Sequence, residues 1–222
     1  MLTGGAYLHI SKDAPRNIIE NAQRALALFA STSPSYLILQ SLDNANAYLS
    51  DGYSEKLQKY IDIGNAVKKK LIAHGYTLCG DESLKLTIAP KSYGYTGIEL
   101  GEFLAENNII CEFCDPDYTV LMFNPENDEG TFDIIEKALL SLSKRNAVSE
   151  SIPHLEIPEK VICPRDAIFS EAEAINIDSA LGRVLASETV SCPPAIPIVV
   201  CGERINESAV KLLRYYGIKN VT

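Results

Sequence analysis

The sequence has no long apolar run and little positive charge. No hydrophobic stretch approaches the roughly 20 residues that a membrane-spanning helix needs, and residues 1–3 lack the basic start of a signal peptide. The 20 lysine and arginine residues are outnumbered by 29 aspartate and glutamate residues, which gives a net charge of -9. The largest basic cluster is Lys68 to Lys70. We therefore expect a cytoplasmic protein that binds no membrane and no nucleic acid, because an acidic surface repels anionic lipids and phosphates.

A recognisable metal or redox centre is also missing from the sequence. Six cysteines are spread widely over 222 residues, a length that does not depend on disulfides for a core, so reduced thiols are expected. Cys111 and Cys114 have the spacing of half a zinc site or of a redox pair, but no second pair accompanies them. The three histidines are too scattered to form a site. We predict no metal site.

Apolar content, by contrast, is sufficient for real cores. Hydrophobic residues make up 46% of the chain, which is ordinary for a globular protein with one large domain or two to three small ones. Residues 3–10 mix glycine with apolar residues and predict a strand, with close backbone approach at Gly4 and Gly5. A phosphate-binding glycine-rich loop would need more glycines and a Lys-Ser/Thr pair, and neither is present there.

Three helical patterns follow this predicted strand. Apolar residues at helical spacing over 18–29 predict an amphipathic helix that ends near Ala30. A second, mostly apolar helix is predicted to open with Pro34, because proline suits the first turn of a helix, and such a helix must be covered by other parts of the protein. A third helix is predicted over 53–74, with Gly75 as its stop.

Three consecutive hydroxyl residues, Ser31, Thr32 and Ser33, stand directly before Pro34. One of these hydroxyls could simply cap the second helix by accepting a free N–H group. Alternatively, the hydroxyls, the free N–H groups and the helix dipole could together hold a phosphate. The residues by themselves leave both interpretations open.

Residues 84–146 have the pattern of a compact α+β unit that can close its own core. Alternation of apolar and polar residues predicts its first strand, Thr96 is a plausible helix cap, and Cys114 to Asp117 has the composition of a turn. The predicted order is strand, helix, strand, strand and helix, over residues 84–89, 96–107, 109–113, 118–123 and 131–145.

The last third of the chain predicts a linker and a further small fold. Prolines at 153 and 158 predict a linker or an extended crossing over 147–163. Ser170 and Glu173 have the spacing of a capping box, which predicts a helix start. A short helix, a strand and a final helix are predicted over residues 178–185, 196–200 and 206–216.

Four runs of the chain resemble the ornithine/lysine/arginine decarboxylases, which are pyridoxal-phosphate enzymes of the aminotransferase-like fold. These runs are LTGGAYLHI (2–10), ALALFASTSPSYLILQSLD (25–43), PRDAIF (164–169) and CPPAIPIVVCGE (192–203). The last run departs from the family pattern at Cys192, Ala195 and Cys201. The resemblance nevertheless extends over nearly the whole chain.

The resemblance implies an α/β protein in three parts. These are a C-terminal remnant of the pyridoxal-phosphate-binding large domain (1–75), a small α+β domain (76–146), and a linker with the decarboxylase C-terminal domain (147–222). In the family, a Ser-x-His-Lys sequence whose lysine forms the Schiff base directly precedes the segment that matches Leu2. The resemblance therefore implies a chain without that lysine, without catalytic residues of its own, and with a missing N-terminal half as its partner.

The resemblance also implies a cofactor and its contacts. In the family, a hydroxyl-rich corner reaches across a homodimer to the phosphate of pyridoxal 5'-phosphate, and Thr32, flanked by Ser31 and Ser33, inherits that role. Glu112 and Asp115 are candidates for pairing with the cationic end of a basic amino acid, although acids beside a turn are usually solvated. The stretch from Leu84 to Glu126 contains no arginine, which suits a decarboxylase because an ion pair would stabilise the departing carboxylate in the ground state.

Two functions of different classes remain open. In the first, the chain is the C-terminal part of a pyridoxal-phosphate-dependent decarboxylase of arginine, lysine or ornithine, inactive alone. In the second, it is a stand-alone, non-catalytic dimerisation or interaction module. Self-association into a homodimer or higher oligomer is expected in either case, because the helix after Pro34 should retain an uncovered apolar face.

Overall fold

The computed structural model describes residue 2 and residues 4–128, 130–187 and 197–222. The chain forms two compact units, residues 1–59 and residues 60–222. None of the helices in the described ranges combines the length and the apolar character that crossing a bilayer requires. The expected mixed α/β class is confirmed, with helices in both units and strands in the second.

The first unit is helical. Helix α1 spans Arg16–Phe29, as its apolar spacing predicts, and helix α2 spans Tyr36–Ser50. The strand predicted over 3–10 is wrong, since residues 4–10 form no strand. The described residues of this unit form helices and no strand with which the segment could pair. The close approach at the glycines is confirmed, because a Cβ atom on Gly5 would lie 2.7 Å from the Ile38 side chain of α2.

Helix α3 spans Tyr53–His74, as predicted, and passes from the first unit into the second. Its residues Tyr60, Val67 and Leu71 are buried in the core of the second unit. At its end Gly75 has a φ of 110°, a left-handed conformation that stops the helix as its sequence predicts. We call residues 60–146 the α/β lobe and residues 147–222 the C-terminal domain. The domain boundaries at 75/76 and 146/147 stay predictions.

The α/β lobe contains a four-stranded antiparallel sheet in the order β1-β2-β4-β3. The strands predicted at 84–89 and 118–123 are confirmed in slightly shorter form. The strand predicted over 109–113 begins later, at Phe113. Strand β1 was not predicted, because it is only three residues long. The strands are β1 Thr77–Cys79, β2 Lys85–Ala89, β3 Phe113–Cys114 and β4 Thr119–Met122.

Two helices cover this sheet, α4 (Gly97–Glu106) and α5 (Gly130–Ser141). The predicted cap at Thr96 is confirmed, and it forms a full capping box with Glu99. The core contains α3, the sheet and both helices, with Leu71, Ile88, Leu100, Leu104 and Leu139 fully buried. Because Tyr60, Val67 and Leu71 of α3 belong to this core, the unit predicted over 84–146 closes its core only with that helix.

Three tyrosines fix the end of α5. The hydroxyls of Tyr76, Tyr93 and Tyr95 donate to the carbonyl oxygens of Leu139, Leu142 and Ser143, over 2.8, 3.0 and 2.7 Å respectively. These carbonyls belong to the last turn of a helix and the residues just beyond it, where intrahelical donors run out. The tyrosines thus end α5 where it meets the chain that leads to the C-terminal domain.

The C-terminal domain has its own core around α7 (Glu207–Tyr215), which includes Leu185, Ile205 and Leu213. The predicted final helix is confirmed, with Asn206 as its N-cap accepting from the N–H of Ala209 over 2.8 Å. The remaining elements are helix α6 (Pro164–Ile168) and two short antiparallel pairs, β5 (Glu159–Lys160) with β7 (Glu203–Arg204) and β6 (Ile175–Asn176) with β8 (Asn220–Val221).

Three other predictions for this domain are wrong for the residues that the structure describes. No helix starts at Ser170, whose hydroxyl instead donates to the carbonyl oxygen of Ala167 and closes α6, while Glu173 pairs with Arg183 over 2.8 Å. The helix predicted over 178–185 is only a 3₁₀ turn at Ile177–Ser179. Residues 197–199 form no strand, and the rest of the family-like run, residues 192–196, lies outside the described residues.

Candidate functional site

The first candidate site is the hydroxyl corner, Ser31, Thr32 and Ser33, which lies between the end of α1 and the start of α2. All three side chains are exposed, and the N–H of Ser33 donates to Ser31 Oγ over 3.1 Å. Helix α2 begins at Tyr36, and its N-cap is Ser35, whose side chain makes no capping hydrogen bond. The helix start predicted at Pro34 is therefore wrong by two residues, and the corner does not occupy the capping position.

This corner fits one part of pyridoxal phosphate, namely the phosphate group. The first N–H groups of an α-helix have no intrahelical acceptor, and the N-cap side chain of α2 leaves them available. Together with the exposed hydroxyls they offer several donors to an anion. The hydroxyls lie next to the helix in sequence but are not engaged by it, so simple capping does not account for them.

A second polar cluster lies in the unit of residues 60–222, and we call it the Lys91 cluster. Lys91 lies in the 3₁₀ turn after β2, Asp117 in the turn between β3 and β4, and Tyr215 at the end of α7. Lys91 Nζ lies 2.7 Å from Asp117 Oδ1, and the Tyr215 hydroxyl donates to the same oxygen over 2.8 Å. Lys91 Nζ also hydrogen-bonds to the Tyr215 hydroxyl and to the carbonyl oxygen of Glu150.

The Lys91 cluster is well shielded from solvent. The side chains of Lys91 and Asp117 are 16% and 8% exposed, and Asp117 Oδ2 is buried with no hydrogen-bond partner among the described residues. Burial lowers the pKa of Lys91, but the hydrogen bonds to Asp117 and Tyr215 outweigh that effect and leave the pKa raised. Burial and the bond to Asp117 raise the pKa of Tyr215 to about 12. At neutral pH the cluster thus holds a charged lysine and a neutral phenol.

The two acids predicted for substrate binding lie on either side of β3. Asp115 is buried, and its Oδ1 accepts from the N–H groups of Asp117 and Tyr118 over 2.7 and 2.6 Å. Burial raises the pKa of Asp115, and these two hydrogen bonds offset part of that effect. Glu112 is exposed, and its backbone N–H donates to Val120. The expectation of solvated acids is right for Glu112 and wrong for Asp115, and the substrate contacts of both stay predictions.

The environment of Cys111 and Cys114 favours protonated thiols. The two thiols are hydrogen-bonded to each other. Burial and the neighbouring thiol raise the pKa of Cys111 to about 12, and burial raises the pKa of Cys114. Metal ligands and redox nucleophiles are thiolates, which a raised pKa disfavours. Over the described parts of the chain, no group of three or more histidine, cysteine, aspartate or glutamate residues is placed to hold a metal ion.

No pattern in the sequence predicts the Lys91 cluster. Lys91 is 26 residues from Asp117, and Asp117 is 98 residues from Tyr215, so no local spacing connects them. The one sequence signal available was the turn composition at Asp115 to Asp117, which places two acids at a tight connection. The partners of those acids depend on how the C-terminal domain packs.

Comparison with known proteins agrees with the resemblance seen in the sequence. The family model described as "Orn/Lys/Arg decarboxylase, C-terminal domain" matches residues 147–220. Among curated proteins, the chain is 30% identical over 217 residues to an arginine decarboxylase of Halalkalibacterium halodurans, covering 88% of this chain and 44% of that protein. It is 28% identical over 214 residues to an arginine decarboxylase of Bacillus subtilis, covering 87% and 44% respectively.

Solved structures share the fold. A lysine decarboxylase of Francisella novicida matches with a TM-score of 0.67 and 18% identity, over 90% of this chain and 41% of that one. The constitutive lysine decarboxylase of E. coli matches with a TM-score of 0.63 and 15% identity, over 91% and 43%. The chain therefore spans less than half the length of the relatives it matches, and at these identities the structural likeness establishes the fold alone.

Proposed function

We propose a function from one premise: this chain corresponds to the C-terminal part of an Orn/Lys/Arg decarboxylase. On that premise it forms the C-terminal portion of a cytoplasmic, pyridoxal-phosphate-dependent enzyme that converts arginine, lysine or ornithine to the corresponding amine and CO2. The chain by itself is inactive and needs the N-terminal part of such an enzyme. The observation that carries the proposal is sequence similarity to arginine decarboxylases over 88% of the chain, joined to a shared fold over 90% of it.

The hydroxyl corner would hold the phosphate of the cofactor in a neighbouring subunit. Pyridoxal phosphate, when bound, supplies the electron sink for the electrons left by the departing carboxylate. The hydroxyls of Ser31, Thr32 and Ser33 would donate to phosphate oxygens, and the positive end of the α2 dipole would favour the charge. The contribution of these residues is therefore binding and orientation, with no proton transfer assigned to them.

A chimera tests the proposal most directly. In the arginine decarboxylase of Halalkalibacterium halodurans, the part that this chain matches would be replaced by the 222 residues. Release of CO2 from arginine, lysine and ornithine would then be measured with pyridoxal phosphate present. We expect release from one of these amino acids, and none from the N-terminal part alone or from the 222-residue chain alone.

The controls separate folding from function. A Thr32→Val chimera should bind the cofactor about tenfold more weakly, because one charge-assisted hydrogen bond is lost. A Thr131→Val chimera, altered in the α/β lobe, should bind it normally. A chimera that is folded by circular dichroism yet releases no CO2 from any of the three amino acids would contradict the proposed activity.

The inactivity of the chain alone has a second readout. Borohydride reduction in the presence of pyridoxal phosphate, followed by mass spectrometry, should give no stoichiometric adduct on any lysine of the 222-residue chain. A single adducted lysine at full occupancy would mean that this chain holds the cofactor by itself.

One observation favours the alternative, a non-catalytic dimerisation module. Helix α1 has no buried residue, and the first unit leaves Leu28, Phe29 and Leu37 exposed at 79%, 89% and 69%. Apolar exposure on this scale marks a surface that contacts another protein. Self-association is therefore proposed for either function, and sedimentation that gives only monomer at every concentration would count against it. An inactive chimera with a dimeric chain would favour the module.

A further inference from the structure

The α/β lobe and the C-terminal domain are joined by polar contacts, because their apolar cores are separate. The core of the lobe consists of residues between Tyr60 and Leu142, and that of the C-terminal domain of residues between Leu155 and Val221. No described residue belongs to both cores. Since apolar burial does not hold the two together as one core, their relative position depends on the contacts at the boundary.

Lys91 makes several of these boundary contacts. Its ammonium group donates to the Asp117 carboxylate, the Tyr215 hydroxyl and the carbonyl oxygen of Glu150, which uses all three of its donors. Its own carbonyl oxygen accepts from the N–H of Val148 over 2.9 Å. One residue of the lobe therefore fastens the linker at 148–150 and the end of α7, and it ties both to the turn that carries Asp117.

The linker is fastened at a second point farther along. The carbonyl oxygen of Glu156 accepts from Asn206 Nδ2 over 3.0 Å, and the N–H of Glu156 donates to Ser208 Oγ over 3.0 Å. These contacts lie inside the C-terminal domain, at the start of α7. Between Lys91 and this second point, the linker crosses the boundary. If the hydrogen bonds of Lys91 were broken, the C-terminal domain would therefore stay attached to the lobe through the linker.

The charges of the Lys91 cluster favour two states of the contact, fully formed or fully broken. If Lys91 separates from Asp117 while one of them stays buried, that buried charge is left without compensation. A state in which both groups are exposed to water avoids this cost. Among the described residues, Asp117 Oδ2 has no hydrogen-bond partner, so the carboxylate depends on the two donors to its Oδ1, Lys91 and Tyr215. The ring of Tyr215 adds a further contact, since Lys91 Nζ lies 5.1 Å from its centroid.

We propose that Lys91, Asp117 and Tyr215 form a latch that fixes the C-terminal domain on the α/β lobe, and that opening this latch frees the domain while both cores stay folded. The latch concerns the junction of two parts of this chain and does not depend on the decarboxylase activity.

Amide hydrogen exchange of the 222-residue chain tests the latch. In Lys91→Met, the amide of Val148 should exchange at least about tenfold faster, although its acceptor, the backbone carbonyl of residue 91, is still present. The core amides of Leu139 in the lobe and Leu213 in the C-terminal domain should keep their exchange rates. Cleavage of the linker by a glutamate-specific protease at Glu150, whose carbonyl oxygen is bonded to Lys91, should accelerate in parallel.

The control is Lys70→Met, which removes a lysine bonded to both carboxylate oxygens of Glu136, at 2.8 and 2.9 Å within the lobe. It should leave the exchange of Val148 unchanged. Tyr215→Phe is the milder latch variant and the decisive one if Lys91→Met does not fold, and it should accelerate Val148 by about threefold. Unchanged exchange of Val148 in the latch variants, or equal acceleration of Val148, Leu139 and Leu213, would overturn the proposal.

Discussion

Thr119 and Gly97 join strand β4 to helix α4, since Thr119 Oγ1 donates to the carbonyl oxygen of Gly97 over 2.8 Å. The N–H of Gly97 in turn donates to Pro116 over 3.2 Å. A Cβ atom at this position would overlap the carbonyl oxygens of Asp115 and Tyr118. The start of α4 can therefore lie against the turn that carries Asp117 only because residue 97 is glycine.

This relationship predicts different outcomes for two glycines of α4. Gly97→Ala would meet backbone atoms, and we expect it to destabilise the fold by about 1–3 kcal/mol or more. Gly101→Ala would overlap the sulfur of Cys114 and lie 3.3 Å from its Cβ, so adding Cys114→Ala, which removes the sulfur, should recover most of its cost. Urea denaturation of the single and double variants measures both effects. Equal rescue of Gly97→Ala by Cys114→Ala would contradict this explanation.

The buried carboxylate of Asp115 predicts a second pair of variants. Asp115→Asn keeps an acceptor for the N–H groups of Asp117 and Tyr118 and removes a charge whose burial raises the pKa. Because the ionised form is disfavoured in the folded state, Asp115→Asn should be at least as stable as the parent at pH 7. Asp115→Ala leaves both N–H groups without an acceptor and should lose about 1–3 kcal/mol. Equal thermal stability of the two variants would refute this role.

The capping box of α4 predicts the effect of Thr96→Ala. The Thr96 hydroxyl accepts from the N–H of Glu99 over 3.1 Å, and the loss of such a cap typically costs about 1 kcal/mol. For a chain of this size that corresponds to a fall in Tm of roughly 2–4 °C. Thr131→Ala is the control, since Thr131 follows Gly130 inside α5 and provides no cap, and its Tm should stay near that of the parent.

The hydroxyl corner should be dispensable for the stability of the chain alone. A variant with Ser31, Thr32 and Ser33 all changed to alanine should unfold within about 0.5 kcal/mol of the parent, because the three side chains are exposed and the N-cap position of α2 is Ser35, outside the corner. Helical circular dichroism should be equally unaffected. A clear loss of helix would show that the corner supports α2 after all, and would remove the reason for assigning its hydroxyls to a phosphate.

The Lys91 cluster predicts a stability loss at alkaline pH. Tyr215 has an ordinary pKa of 10.0 when unfolded and a pKa of about 12 when folded, so between these values the folded chain binds the additional proton. The stabilisation is complete below about pH 10 and declines as the pH rises toward 12, by at most about 1.4 kcal/mol per pH unit. Lys91, whose pKa is also raised, acts in the same direction.

Urea denaturation at several pH values from 9 to about 11.5 checks this titration. The parent should lose more stability over the range than Tyr215→Phe, which has no proton to release at that position. Tyr36→Phe alters a tyrosine that is 88% exposed and should follow the parent. Parallel pH profiles for the parent and Tyr215→Phe would contradict the assignment of the titrating phenol.

Predictions from the sequence were right where short-range chemistry decides the structure. The apolar spacing of 18–29 produced α1, Gly75 ended α3, and Thr96 with Glu99 started α4, because the interacting groups lie within one helical turn of each other. Resemblance in four short runs pointed to the same family that the comparisons with known proteins found, and one of these runs contains Thr32. None of these conclusions required knowledge of which surfaces meet.

Contacts between segments distant in sequence decided the features that the sequence did not predict. Residues 4–10 have strand-like composition but form no strand, since a strand exists only where another backbone pairs with it. Asp115 became a buried turn residue and Lys91 a boundary contact because α7 returns to the turn between β3 and β4, 98 residues after Asp117. Sequence spacing records local order, whereas the positions of charges in this protein follow from the packing of distant segments, and only the folded chain determines that packing.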